Sequence, residues 1–201
     1  LPKLIRDDLK QADDLADEAV AKQRPLYFAG GIRNVLDSAE EKLTLLKALS
    51  PKAAEPVAKD FERTAAAMKQ KKTSLSEAII TANRLPPDRY AGDDKAELTK
   101  LAVAEWKKIQ PDAKVLAVRF ASAEWKREKM WYYSAKTWSL TDRSKLQAQL
   151  IVQHDGRLAV NRPVNLWKDH LRNDAVRAAP MFGKVDNDLQ PEWFYLLTNV
   201  K

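Results

Sequence analysis

Apolar residues in the first eighty positions recur every three or four residues. Ile5, Leu9, Ala12, Ala16 and Ala19 make one stripe; Phe28, Ile32, Val35, Leu36, Ala39, Leu43 and Leu46 make a second; Val57, Phe61, Ala65 and Met68 make a third. That period predicts amphipathic helices, each with one buried face. The breaks agree with it. Ser50 is placed to cap a helix whose first residue is Pro51, and Ser74 with Glu77 reads as a capping box that opens a fourth helix carrying Leu75, Ile79 and Ile80. Four helices on short connections predict an antiparallel bundle, with close, Ala-rich contacts and a thin core.

The rhythm then changes. In RLPPDRYAGDD, residues 84–94, Pro86 and Pro87 end a helix and Gly92 loosens the chain. A further helix over 94–110, boxed by Asp94 and Glu97, turns Leu98, Leu101, Ala102 and Ile109 inward and stops at Pro111. Beyond it the period is two. Leu116, Val118 and Phe120 share one side of a strand, and Leu146, Ala148, Leu150 and Val152 share one side of another, opposed by Gln147, Gln149 and Gln153. His154-Asp155-Gly156-Arg157 supplies an Asp-Gly hairpin turn, and the returning strand should pair on one side only near Pro163, which has no N–H to give. Residues 172–191 read as loop with one helical turn, whereas EWFYLLTNV, residues 192–200, offers a last strand or a docking tail.

These patterns predict an α+β chain: a helical bundle over 1–87, a linker over 88–93, and over 94–201 a helix packed on an antiparallel sheet of about four strands. The shape resembles that of cystatin-like, wrapped-helix folds. No motif narrows it to a family, and a shared shape carries no function.

Composition narrows the chemistry. The 201 residues include no Cys, which excludes disulfides, thiolate metal sites and Cys nucleophiles. A net charge of +7 favours phosphates, anionic lipid or acidic proteins as partners, although both signs are interspersed along the chain. No apolar run is long enough to span a bilayer. Because the chain starts at Leu1 rather than Met, it reads as processed or trimmed, and an exported or periplasmic location is favoured over a cytoplasmic one.

All six Trp lie beyond residue 90, and the densest cluster is EKMWYYSAKTW, residues 128–138. Read as one continuous strand, it puts Trp131 and Tyr133 on one side and Met130, Tyr132 and Trp138 on the other. The rings either fill a core or form an open platform. For a platform the candidate rings are Trp125, Trp131, Tyr133 and Trp138, and the candidate charges include Lys129 and Lys136. Rings beside cations suit single-stranded nucleic acid, and similar rings stack on sugars.

The search for catalysis returns little. The glycines form no nucleotide-binding fingerprint, and neither a G-x-S-x-G elbow nor an H-E-x-x-H helix occurs. His154 precedes a turn, His170 follows Asp169, and acid pairs such as Asp13 with Asp17 fit solvated helix faces. No catalytic residue, metal ligand or cofactor is assigned. The expected function is non-enzymatic binding or scaffolding through an aromatic sheet face, with a protein as the partner. The alternatives are nucleic-acid or polysaccharide binding by that face, and a hydrolase using His170 with distant acids in an interdomain cleft.

Overall fold

The computed structural model describes residues 1–181 and 190–200. The fold is α+β, helices first and an antiparallel sheet after them, in two compact units, 1–82 and 83–201.

The first unit holds three long helices, α1 (Pro2–Ala21), α3 (Gly31–Leu49) and α4 (Pro51–Ala82), and one helical turn, α2 (Leu26–Ala29). Ile5 and Leu9 meet Leu43, Leu46, Ala54 and Val57 at one end, whereas Ala16 and Ala19 meet Phe28, Ile32, Met68 and Leu75 at the other. Hence α1 and α3 run antiparallel, as do α3 and α4. The buried stripe of α1 is Ile5, Leu9, Ala12, Ala16 and Ala19, the series its period picks out. The expected break at Ser74 does not occur: α4 continues through it for 32 residues, so the third and fourth predicted helices are one. Ser74 and Glu77 imitate a cap, but Met68, Leu75 and Ile79 keep one helical stripe across the site, and packing that stripe outweighs a cap.

In the second unit α5 (Lys95–Ile109) lies on a six-stranded sheet: β1 (Val115–Phe120), β2 (Lys126–Ser134), β3 (Thr137–Gln153), β4 (Leu158–Asp169), β5 (Ala175–Pro180) and β6 (Phe194–Leu196). The long strand β3 is central. Its second half pairs with β1 and β4, and its first half pairs with β2. Leu146, Ala148, Leu150 and Val152 face Leu98, Ala102 and Trp106 of α5 in the main core. On β1 the register shifts between Val115 and Ala117, a bulge that turns Val115, Val118 and Phe120 to the helix and Leu116 with Ala117 to the reverse face. Strict alternation had put Leu116 with Val118.

Pro163 lies opposite Gln149 of β3, and on the other edge its carbonyl accepts from the Met181 N–H (3.0 Å), just past β5. The expected one-sided pairing does not occur, and the end of β4 has partners on both edges. Residues 175–180, read as loop from the sequence, form β5, because β4 exposes an edge there and Val176 and Ala178 add to the helix-facing core. Residues 182–189 of that stretch lie outside the described residues. Near the seam, the Phe120 N–H donates to Asp88 (3.1 Å) and the Arg89 N–H donates to the Phe120 carbonyl (3.1 Å), while Tyr90 is buried against Phe120. Of residues 88–93, Tyr90 thus joins the second unit's core. Gly92 is small because the Tyr90 ring crosses it: a Cβ there would lie 2.4 Å from the Tyr90 hydroxyl.

Candidate functional site

The aromatic stretch is a hairpin rather than one strand. Ala135 and Lys136 both adopt positive φ, 48° and 64°, and form the two-residue turn between β2 and β3. Such turns match the twist of the flanking strands, although they favour Asn and Gly. Folding back pairs Tyr133 with Trp138 and Trp131 with Leu140. Directly paired residues point to the same face of a sheet, so Trp138 joins Trp131 and Tyr133 on one face, not on opposite faces as a continuous strand would have it. The Tyr133 and Trp138 rings sit 5.3 Å apart, tilted by 46°. Met130 and Tyr132 occupy the reverse face.

Strand β4 reaches only as far as the pair Arg143–Asp169, so six cross-strand pairs, from Lys129–Asp142 to Ser134–Thr137, extend beyond it as a two-stranded arm. Among the described residues no other strand pairs with that arm. Trp131, Tyr133 and Trp138 are 64%, 59% and 65% exposed, and Met130 and Tyr132 are 55% and 47% exposed. Four of the six candidate site residues, Trp131, Tyr133, Trp138 and Lys136, come together at or near the tip, with Lys129 two pairs behind Trp131. Trp125 stands apart. Its ring lies under the Lys168 ammonium (4.4 Å), its Nε1 donates to Tyr90 Oη (3.1 Å), and it packs against the main core.

Charged groups secure the base of the arm. Asp142 is buried and accepts two hydrogen bonds from Arg127, at 2.8 and 2.9 Å, with Lys129 at 3.9 Å. The Arg127 hydrogen bonds hold the Asp142 carboxyl below the usual range, against the opposing effect of burial. On the reverse face Lys145 pairs with Glu128 at 2.6 Å. Nearby, Tyr90 donates to Asp94 (2.5 Å) and Lys168 reaches the same carboxylate (3.3 Å). Asp94 therefore serves this network; its side chain does not cap α5, as the capping-box reading required.

A second constellation adjoins the base. Ser144 Oγ lies 2.8 Å from His170 Nε2, and His170 Nδ1 meets Asp174 Oδ1. The sequence pointed to Asp169 as the neighbour of His170, but Asp169 instead accepts from the Leu171 N–H and lies beside Arg143 and Arg172. The turn after β4 brings Asp174 round, with Asn173 and Asp174 both at positive φ. Spacing of three in sequence had no pattern that could reveal Ser144, which arrives from β3. Ser144 is buried and sits in mid-sheet between β2 and β4, so its backbone N–H points along the sheet rather than toward a bound carbonyl. A cavity of about 420 Å³, lined by Asp94, Leu98, Lys168, Asp174 and Val176 among others, shares Asp174 with this relay.

Other sequence candidates have structural partners. The His154 ring packs edge-on against Phe194 at 5.2 Å. Asp13 and Asp17 both hold Lys71, at 2.7 and 2.6 Å, tying α1 to α4 rather than facing only water. Among the described residues no cluster of three or more metal-ligating side chains occurs, and no helix is long and apolar enough to cross a membrane. Comparison with protein-family models, with curated proteins and with solved structures gives no match.

Proposed function

We propose that the chain is a binding module whose contact surface is the β2–β3 arm. The observation that carries this reading is the exposure of Trp131, Tyr133 and Trp138 together on one face of a ribbon that, among the described residues, has no other strand beside it. Exposed apolar patches of this kind mark interaction surfaces, and Trp and Tyr are the side chains that concentrate binding energy there. The rings do little for the fold, since they stand past the last β4 pair. Photo-crosslinking from a benzoylphenylalanine placed at position 138, in cells making the full chain, tests the reading. Discrete adducts that vanish with Trp131→Ser and do not form from the exposed bundle position Leu49 are expected. Equal, diffuse labelling from both positions contradicts it.

A second reading, a hydrolase, draws on the Ser144–His170–Asp174 relay, whose hydrogen bonds run in the order that activates a serine hydroxyl. It ranks behind because Ser144 is buried in mid-sheet and offers no backbone donor for an oxyanion. Labelling of Ser144 by a fluorophosphonate, abolished by His170→Ala, would promote it; absence of labelling on the folded chain removes it.

A further inference from the structure

The arm is layered along its length. Counting back from the turn, the rows Ser134–Thr137, Tyr133–Trp138, Tyr132–Ser139, Trp131–Leu140 and Met130–Thr141 carry rings, Leu, Met and hydroxyls but no charge. The rows behind carry Lys129, Arg143, Arg127, Lys126 and Lys145 together with the acids Asp142 and Glu128. Lys126, Arg127, Lys129 and Lys145 keep more than half of their side-chain surface in solvent although each touches a carboxylate. Cations outnumber acids six to two over residues 126–145. The far end is therefore aromatic on both faces, and a basic collar encircles its base.

We propose that this arm is an interfacial anchor for an anionic lipid surface, with the ring rows in the headgroup layer and the collar against the lipid phosphates. The proposal rests on the arm being the contact surface and names what it contacts. Trp and Tyr favour the membrane–water interface because one end of each ring is apolar and the other is wet. From the Ser134–Thr137 row beside the turn to the Trp131–Leu140 row the arm spans about 10 Å, at roughly 3.4 Å per residue. Interfacial elements bury their apolar faces by about 5–10 Å, so the tip fits that depth. The collar then stands at the surface, within a Debye length of about 8–10 Å of the anionic headgroups. Lys136 at the turn has a stem long enough to return its ammonium to the headgroups. Hydrated headgroups also satisfy the open edges of the two strands, which hydrocarbon would not.

Charge and geometry favour lipid over the other occupants. Single-stranded nucleic acid stacks on rings set beside cations on one face, which leaves Met130 and Tyr132 on the reverse face unused. A flat protein surface likewise covers one face. A tip entering an interface buries both.

The test is co-sedimentation and tryptophan emission of the full chain with phosphatidylcholine vesicles, with and without phosphatidylserine. Binding only to the phosphatidylserine vesicles is expected, with a blue shift and with quenching by brominated phospholipid in the wild-type chain. Trp131→Ser with Trp138→Ser should weaken binding about tenfold or more, and Lys126→Gln with Lys129→Gln and Lys145→Gln about a hundredfold, in line with the roughly fivefold that each interfacial cation represents. No binding to phosphatidylserine vesicles, equal binding to both compositions, or wild-type binding without quenching overturns the proposal. So does capture of a single-stranded oligonucleotide, or formation of a dimer, through the same rings. If vesicles are ignored while cross-links from position 138 persist, lipid is the wrong partner and the contact surface stands; if both fail, both readings fall.

Discussion

Trp106 and Trp131 are one residue type in opposite circumstances. Trp106 is 1% exposed, wedged between α5 and the sheet with the Arg162 guanidinium 5.3 Å over its ring, whereas Trp131 stands mostly in water. Truncation should separate them: Trp106→Ala is expected to cost about 3–5 kcal/mol of folding stability and Trp131→Ser less than about 0.5 kcal/mol, measured by urea unfolding. Equal losses would mean that the Trp131 ring is held in the fold. Asp142 gives a pH signature. Its folded pKa is depressed, chiefly by Arg127, so its contribution is present above the unfolded carboxylate value of about 3.9 and fades as pH falls through the lower folded value. Arg127→Gln should therefore lower stability at neutral pH and flatten the loss below about pH 4. Thermal melts across that range, wild type against variant, check both signs. A parallel shift at every pH would show that Arg127 acts by packing alone.

At the scale of elements, what the sequence revealed followed periodicity, and what it hid followed pairing. The α1 stripe and the face Leu146, Ala148, Leu150 and Val152 were legible because burial repeats at the period of the element that makes it. The break at Ser74 misled because a capping motif is local, whereas the stripe through Leu75 and Ile79 is set by the whole helix. The hairpin in 126–142 was missed for a different reason. Ala135-Lys136 lacks the Asn or Gly that usually announces a turn with two positive φ values, and only the ladder of pairs on either side holds it. That tension is testable: Ala135→Asn with Lys136→Gly should stabilise the arm by about 1–2 kcal/mol, seen as slower amide exchange across the β2–β3 pairs. Unchanged or faster exchange would contradict the assigned turn. Trp138 changed faces for the same reason, since a two-residue turn converts separation along the chain into direct opposition.

Over the whole molecule, the α+β order was visible as the change from a helical to a two-residue rhythm after residue 112, and the sheet exceeds the four expected strands by β5, which nothing in its sequence marked, and by β6, which was offered as a last strand or a docking tail. The candidate site was half legible. Composition located the rings, but their shared face, the separate place of Trp125 and the Ser144–His170–Asp174 relay depend on which segments lie side by side. Distant neighbours leave no trace in spacing along a single chain.

The contact role of the arm is tested most directly by hydroxyl-radical footprinting of the full chain, once purified and once in the cells that make it. Trp131, Tyr133 and Trp138 should react strongly in the purified chain and be protected in the cell, while Trp106 stays unreactive in both. Equal reactivity of the three rings in both settings would contradict the account.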